Sequence, residues 1–460
     1  MYKTTKITQV PSFKLERPDL SRINRQNIIE ELEKNSAQYR KIFENANIPD
    51  YIYWDRFKYK FPDADLSSEG QWLLIRQLRN VSAVDIEIKA ENGEHFRWLR
   101  LPSTDEFLHR IDMLAGGQLF PHSDLLSPAN RQTFVNRGII EEAIASSQLE
   151  GAHTTRAAAR KMIIENKTPK NESEQMILNN FKTINTIEEE YKQKPLTLDL
   201  LLELHRMLTN ETIDKKEQGR LRKDEDEIIV TGQIRSQQFI THIPPKEIFV
   251  KQEIERLISY ANDIEEEKFI HTIIKAVFIH FWIGYLHPFT DGNGRLARAL
   301  FYWYILRKGY WTFMYLPIST VIKKAPVQYA MAYIYSEQDN NDITYFYDFH
   351  IKKIVSALED FKAYINKKIN ENQQVDKLLE QNLPLNERQK QLIHYLLSDN
   401  KLSTTVSSHA TINAITRQTA ARDLKELEAA GLTIAQREGK YIRYYSTPKL
   451  KDLMQSNNQN

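Results

Sequence analysis

The sequence predicts a mainly α-helical protein interrupted by one β-hairpin, with an α+β region ahead of the helical core and a smaller helix-and-strand unit behind it. Three observations carry that prediction. Apolar residues recur at helical spacing in run after run between about 129 and 370. One stretch inside this span, residues 226–242 (DEIIVTGQIRSQQFITH), is β-rich around Thr231-Gly232 and closes at Pro244-Pro245, which reads as a lone hairpin projecting from helices. Residues 366–384 (NKKINENQQVDKLLEQNLP) are polar and end at Pro384, so they read as a helical tail or linker before a last segment with its own apolar pattern.

The elements follow in order. Residues 22–46 carry Ile23, Ile28, Ile29, Leu32 and Ile42 at helical spacing, and Tyr51, Tyr53, Trp54, Phe57, Tyr59 and Phe61 follow. These aromatics stand outside any basic run, so they are read as packing and not as a platform for stacked bases. Val84, Ile86 and Ile88 alternate with polar residues, Asn92-Gly93 supplies turn chemistry, and Phe96 and Trp98 return: a hairpin. Helices are expected at 129–148, 153–166, 171–193, 197–209, 245–262, 267–286, 294–308 and 341–370. The resulting division is an accessory region at 1–125, a helical domain at 126–365, a linker at 366–384 and a C-terminal unit at 385–450.

Length and composition set the outer limits. At roughly 150 residues per domain, 460 residues predict two or three domains. With 41% hydrophobic and 27% charged residues, 14 Gly and 16 Pro, the chain is neither collagenous nor wholly disordered. Lys and Arg number 63 against 61 Asp and Glu, so no global field draws the molecule onto nucleic acid or an anionic membrane, and any basic surface is local. The absence of cysteine removes disulfides, thiolate metal sites and thiol nucleophiles. The first twenty residues lack the apolar core and small-residue cleavage site of a secretory signal, so a cytoplasmic protein is expected. Ile273 to Leu286 is the most apolar stretch, but it is shorter than the roughly 20 residues a bilayer needs and contains Lys275 and His280; it reads as a buried helix, with no membrane partner.

The chemistry is concentrated in His287-Pro288-Phe289-Thr290-Asp291-Gly292-Asn293-Gly294-Arg295-Leu296-Ala297-Arg298, which leaves that apolar helix, crosses a tight turn and opens the next helix. Gly292 and Gly294 let the backbone turn and approach a ligand, while the new helix aims free N–H groups and its positive dipole end at an anion. Asp291 offers a hard oxygen for Mg²⁺, Asn293 a neutral donor, and Arg295 and Arg298, three residues apart, two cations for phosphoryl oxygens. His287, ahead of the turn, can take a proton from an attacking hydroxyl. Any one of these residues alone would be an ordinary turn or surface residue, but the eight specified positions together have a chance rate on the order of 10⁻¹⁰ per start site. His271 and His280, nine and seven residues from their neighbours in the series ending at His287, lack zinc-ligand spacing and are read as packing or surface residues.

HPFTDGNGRLAR resembles the signature of the Fic family, HxFx(D/E)GNGRxxR, at every specified position. The resemblance covers about 129–365 and implies a helical Fic core with a β-hairpin flap. The activity it implies is transfer of AMP from Mg·ATP to a Tyr, Thr or Ser hydroxyl of a target protein and of the enzyme itself, with release of pyrophosphate. It further implies that His287 is the base, Phe289 a buried anchor, Asp291 the Mg²⁺ ligand, Asn293 a contact of the α-phosphate, Gly292 and Gly294 the amides of the anion hole, Arg295 a contact of the β/γ-phosphates and Arg298 of the γ-phosphate. Ile229, Val230, Thr231 and Gly232 fall where the flap presents the target, with Gly219, Arg222 and Pro244-Pro245 as its landmarks. A Fic-like kinase branch carries Lys where this chain has Gly294, so the resemblance favours AMP transfer over phosphorylation.

Ser146-Ser147-Gln148-Leu149-Glu150-Gly151 ends a helix, and Gly151 suits a helix C-terminus by itself. The segment also resembles the (S/T)xxxE(G/N) inhibitory motif of Fic proteins at Ser146, Glu150 and Gly151. That resemblance implies an enzyme that is off by default, with Glu150 paired to Arg298 and repelling the γ-phosphate. Two other functions stay open: removal of AMP from a target by the same loop, and a DNA-binding regulator whose Fic domain senses nucleotide.

After Pro384 an amphipathic helix runs from Leu385 to Leu397, a second from Ile415 to Leu427, and a strand pair ends at Tyr444-Tyr445. This order resembles a winged helix-turn-helix, which implies that Thr416, Arg417, Gln418, Thr419 and Arg422 face a DNA groove and that Lys440 and Arg443 sit on the wing. Residues 385–450 carry +4, ten Lys/Arg against six Asp/Glu. That is modest, and docking or dimerisation is the alternative. The interval 398–414 is longer than a compact unit of this kind needs. The expected partners are therefore ATP and a target hydroxyl, with DNA for the C-terminal unit and a homodimer left open.

Overall fold

The computed structural model describes residues 10–21, 23–62, 65–115, 128–234, 237–264, 269–379, 385–397, 402–439 and 441–450. In the N-terminal region α1 (Arg25–Lys34), α2 (Ser36–Asn47), a single turn α3 (Trp54–Phe57) and α4 (Ser68–Ser82) precede a hairpin of β1 (Ala83–Lys89) and β2 (His95–Leu99), then α5 (Pro102–Met113). The helix expected over 22–46 is two helices, because Asn35 leaves helical geometry at φ −123° and caps both. The aromatic run packs as expected, with Tyr51, Tyr53, Trp54 and Phe57 buried beside Trp72; Tyr59, 77% exposed, is the exception. Helices α4 and α5 escaped the periodicity reading.

Next come α6 (Pro128–Leu149), α7 (Arg156–Ile164), α8 (Glu172–Thr186) continued by a π-helical turn at Ile187–Tyr191, α9 (Leu198–Thr209), the hairpin β3 (Val230–Ile234) and β4 (Gln237–His242), α10 (Glu247–Ala261), α11 (Thr272–Leu286) and α12 (Asn293–Arg307). After them stand α13 (Ile318–Lys323), α14 (Pro326–Gln338) and α15 (Thr344–Leu379). Starts are set by local chemistry: Thr155, Asn171 and Thr197 each accept a backbone N–H of the first turn of α7, α8 and α9. α11 is apolar on every side, and Ile273 through Ile283 are all buried, so it runs through the middle of the main core with α12 packed along it. That core also takes Ile86, Ile88, Phe96, Leu108 and Ile111 from the N-terminal region. α15 runs on to Leu379, so most of the expected 366–384 linker is helix. No helix among the described residues is long and apolar enough to cross a membrane.

Thr231 and Gly232 lie inside β3, opposite Ile240 and Phe239. The hairpin does not stand alone: Phe13 N–H donates to Ile240 O (2.8 Å) and Ile240 N–H to Pro11 O (2.9 Å), so the N-terminal segment lines the β4 edge. No strand covers the β3 edge among the described residues.

The C-terminal unit consists of α16 (Glu387–Leu397), β5 (Ser403–Thr404), α17 (Val406–Asn413), α18 (Arg417–Ala429), β6 (Thr433–Glu438) and β7 (Tyr441–Ser446), with an antiparallel sheet in the order β5-β7-β6. The interval 398–414 is not surplus: it holds β5 and α17. Leu392, Ile393, Leu396, Leu424, Leu427 and Tyr444 form a separate small core. α17 lies against α6 and α7, where Asn136 Nδ2 donates to Thr411 O (3.0 Å).

Candidate functional site

The site is built where α11 ends and α12 begins. His287 caps α11 in the left-handed conformation (φ 46°, ψ 57°), its N–H donating to Ile283 O (2.9 Å). Arg222 fixes this corner from below: Nε donates to His287 O (2.7 Å), Nη2 to Pro245 O (2.5 Å), and its backbone N–H to Pro288 O (2.8 Å). The base of the hairpin and the corner thus hold each other.

Phe289 is fully buried and stacks on His205 of α9 at 3.7 Å between centroids and 8° between planes. Gly219 N–H donates to His205 Nδ1 (2.9 Å), so Nε2 carries the proton and donates to Asp291 O (2.9 Å). Burial keeps this imidazole neutral, pushing it down to about 4 against the raising effect of the Asp291 carbonyl. His205 supports the loop and carried no motif; only its place on the apolar face of α9 distinguished it.

Asn293 closes the turn: its Oδ1 accepts Phe289 N–H (3.0 Å) and its Nδ2 donates to Phe289 O (2.8 Å). It is buried as a staple of the loop. Arg295 is also tied into the loop. Fully buried, its Nη1 donates to Leu208 O (2.8 Å) and its Nη2 to Asp291 Oδ2 (3.3 Å), so it braces the loop from behind. Asp291 keeps its side chain 42% exposed, with Oδ1 accepting Gly292 N–H (2.7 Å). Gly292 precedes α12 at φ 81° with no side-chain cap, which leaves N–H groups of the first turn available to an anion.

His287 is neutral. Burial pushes its imidazole down to about 3, and His242 adds to the effect. His242, at the end of β4, sits between two acceptors, Glu337 Oε2 (2.6 Å from Nδ1) and Tyr285 O (2.8 Å from Nε2), so both ring nitrogens donate and the ring is a cation. Burial opposes that charge, but the Glu337 carboxylate outweighs it and raises the group above the usual histidine range. Neither His242 nor Glu337 was singled out in the sequence; they meet across 95 positions.

The Ser146–Gly151 segment comes to the same place. Arg298 Nε donates to Ser146 Oγ (2.7 Å), and Nη2 to Ser146 O (3.0 Å) and Glu150 Oε1 (2.9 Å). The Glu150 carboxylate also lies over Gly294, where a Cβ would collide with Oε1. Gly151 ends the helix at φ 93°. Two earlier residues of α6 share the stripe. Gly138 lies so close to Met314 O that a Cβ would collide with it, and buried Glu142 accepts from Tyr302 OH (2.9 Å), Ser319 N–H (2.9 Å) and Ser319 Oγ. Gly138, Glu142, Ser146 and Glu150 recur every four residues, one face of one helix laid on the core.

In the hairpin, Ile229 precedes β3 and Val230, Thr231 and Gly232 lie within it, none fully buried. In the C-terminal unit Thr416 caps α18, Arg417, Gln418 and Arg422 are exposed, and Thr419 is partly covered. Lys440 lies outside the described residues. Arg443 lies in β7, on the strand pair as expected, and its side chain is paired: Nη2 meets Glu165 Oε1 (3.2 Å) and Nε meets Glu438 Oε2 (3.1 Å). These ion pairs hold it at the junction with α7. No group of three or more His, Asp or Glu among the described residues could hold a metal, and His280 instead meets Tyr329 OH (2.9 Å) and His271 meets Asp112 (3.0 Å). Asp291 alone fits Mg²⁺ that takes its other ligands from phosphate and water.

Residues 195–305 match the model of the Fic/DOC family. The Protein adenylyltransferase Fic of Nematostella vectensis is 30% identical over 123 residues, 26% of this chain and 25% of its own length. The Protein adenylyltransferase fic-1 of Caenorhabditis elegans is 27% identical over 192 residues, 41% of this chain and 35% of its own. The chain thus spans between a quarter and about a third of the length of these curated relatives. Among solved structures, a Fic family protein from Desulfovibrio desulfuricans G20 gives a TM-score of 0.49 at 19% identity, covering 76% of this chain and 97% of that one. A Caenorhabditis elegans Fic-1 fragment gives 0.49 at 18%, covering 75% and 89%. The family match holds α9, the hairpin and the whole loop from His287 to Arg298, while α6 with Glu150 and the C-terminal unit lie outside it.

Proposed function

We propose that this chain is a protein adenylyltransferase that moves AMP from Mg·ATP to a Tyr, Thr or Ser hydroxyl of a target protein and of itself, and that Glu150 holds it off. The observation that carries this reading is the placement of His287, held at the end of α11 by Arg222, ahead of the uncapped first turn of α12. The α12 amides and Gly294 cradle the phosphates, and His287 takes the proton of the incoming hydroxyl. The hydroxyl oxygen bonds to the α-phosphorus, and the bond to the bridging oxygen breaks with its electron pair leaving on pyrophosphate. Asp291 would hold Mg²⁺, which when bound would supply neutralising charge for the departing pyrophosphate. The open edge of β3 suits an extended target segment that adds as a strand, because the β4 edge is already taken by residues 11–13.

Inhibition rests on the pairing at Arg298. A carboxylate there takes the donor a γ-phosphate would use and adds negative charge where the phosphate would bring its own. The test is label transfer from α-labelled ATP, with mass spectrometry of modified Tyr, Thr and Ser. Glu150→Gly is expected to raise self-labelling at least tenfold over the unaltered chain. Equal labelling of the two would reduce Ser146–Gly151 to a helix end.

For the C-terminal unit we propose a winged helix-turn-helix that meets DNA through α18. The helix-strand-helix-helix-strand-strand order and the exposure of Arg417, Gln418 and Arg422 support it.

A further inference from the structure

Between α6 and α7 on one side and the C-terminal unit on the other lies a cavity of about 390 Å³, within the range of small-molecule sites. Its lining has two characters. Ile164, Leu392 and Ile412, with the ring of Tyr395, make an apolar part, and five cations face the same space: Arg137, Arg160, Lys161, Arg388 and Arg443.

Two of the five are neutralised. Arg388 Nε and Nη2 pair with buried Asp423 (2.8 and 3.1 Å), and Arg443 pairs with Glu165 and Glu438. The other three, all on α6 and α7, are not. Arg137 Nη1 donates only to the neutral Tyr364 hydroxyl (3.0 Å), and its Nε is buried without a hydrogen-bond partner. Arg160 and Lys161 form no ion pair among the described residues. Glu141, the carboxylate that acts on Arg160, is already gripped by Arg156 through two N–H groups (2.6 and 2.7 Å). Glu165, which also feels Lys161, is bonded to Lys167 and Arg443. Burial, and next the charge of Arg137, hold Arg160 below its ordinary value. Half-buried like charges that oppose each other are unfavourable until an anion joins them, and guanidinium forks suit phosphate and carboxylate oxygens.

We infer that this cavity binds a small organic anion, its phosphate or carboxylate head on Arg137 and Arg160 and an apolar body about the size of an aromatic ring against Ile164, Leu392, Ile412 and Tyr395. The site uses none of the residues assigned to adenylyl transfer and stands whether or not that reading holds. One wall is α6, the helix that carries Ser146 and leads into Glu150, so an occupant would sit against the element that covers Arg298.

The test is phenylglyoxal modification of the full chain, followed arginine by arginine by peptide mass spectrometry, with phenyl phosphate, benzoate, inorganic phosphate or benzyl alcohol present. Phenyl phosphate or benzoate is expected to slow Arg160 and Arg137 at least fivefold at saturation while Arg417 and Arg422 on α18 keep their rates. Inorganic phosphate should slow them less than twofold and benzyl alcohol not at all. By calorimetry Arg160→Gln should weaken phenyl phosphate at least tenfold. Arg160 makes no hydrogen bond among the described residues, and thermal unfolding checks that the variant is folded. Protection equal at Arg160 and Arg417, protection by inorganic phosphate as strong as by phenyl phosphate, or unchanged affinity in folded Arg160→Gln would each overturn the proposal; the last would move the anion to the α12 cradle.

Discussion

α12 and α18 both begin where a negatively charged ligand is proposed, and they begin differently. α12 starts behind Gly292 without a side-chain cap, and what lies over its first turn is the chain's own carboxylate, Glu150 above Gly294. α18 starts behind Thr416, whose Oγ1 accepts Thr419 N–H (3.2 Å) and lies 3.0 Å from Thr419 Oγ1. A hydroxyl cap satisfies one of the helix's free donors and so takes it away from any ligand. An anion at α12 can therefore be held by backbone that the folded loop fixes in place. An anion at α18 has to be met by long side chains. Backbone recognition suits a phosphorus atom that must be presented to a base; side-chain recognition suits a phosphate that only has to be neutralised.

The largest expected effect tests the α12 half. His287→Ala should lower AMP transfer by about 10²–10⁴-fold in the Glu150→Gly background, because it removes the base. ATP affinity, measured by calorimetry, should stay within a few-fold, because the amides and Arg298 are untouched. Turnover that survives within a few-fold would mean that the cradle alone drives the reaction.

The counterpart at α18 is Arg417→Ala with Arg422→Ala. Both guanidinium groups are exposed, and the approach of Arg422 to Glu426 is long at 4.0 Å. DNA affinity should fall, and the slope of log affinity against log salt should shrink by up to about two, roughly one for each phosphate no longer neutralised. Label transfer should not change. A double variant that binds DNA with the same salt slope would leave α18 with no role at the phosphates and favour docking or dimerisation.

A smaller effect tests the α12 half by pH. His287 lies far below the ordinary histidine value in the folded chain, and so does His205. Between about pH 6.5 and those depressed values the unfolded chain binds more protons than the folded one. Stability should therefore fall as pH falls through that window. His287→Gln should make the fall shallower by up to one proton's worth in urea titrations. Because His287 stays neutral in the folded state, the transfer rate of Glu150→Gly should show no acid limb near 6.5 from this group. Parallel stability curves for the two proteins would place the depressed titration elsewhere.

These contrasts also show what the sequence could disclose. The turn from His287 to Arg298 is contiguous, so its residue types and spacing can be read directly, and so can Ser146, Glu150 and Gly151. Their supports cannot. Gly138 and Glu142 look like ordinary helix residues until Met314 and Ser319, far along the chain, are laid against them. His205 under Phe289 and the His242–Glu337 pair likewise exist only after α9, β4 and α14 have packed. The loop contacts of Asn293 and Arg295 were hidden for a related reason. A motif gives polar residues a common address, whereas burial decides which of them face the ligand and which hold the loop. At 398–414 the Thr404-Thr405-Val406 boundary of β5 and α17 was masked by length alone, since a two-residue strand has no period to detect.

The smallest expected effect addresses the cap itself. Thr416→Ala removes an Oγ1 that accepts Thr419 N–H, and losing such a cap costs about 1 kcal/mol of helix stability. The loss should fall on the C-terminal unit, because α18 packs Leu424 and Leu427 into that unit's own buried core and not against α12. Hydrogen exchange of the α18 amides should therefore quicken by about fivefold while those of α12 keep their protection and label transfer holds its rate. Thr416→Ser retains the hydroxyl and should restore slow exchange. If Ser and Ala at this position behaved alike, the hydroxyl would contribute nothing to the start of α18, and the contrast between a helix end kept open and one kept closed would rest on Gly292 alone.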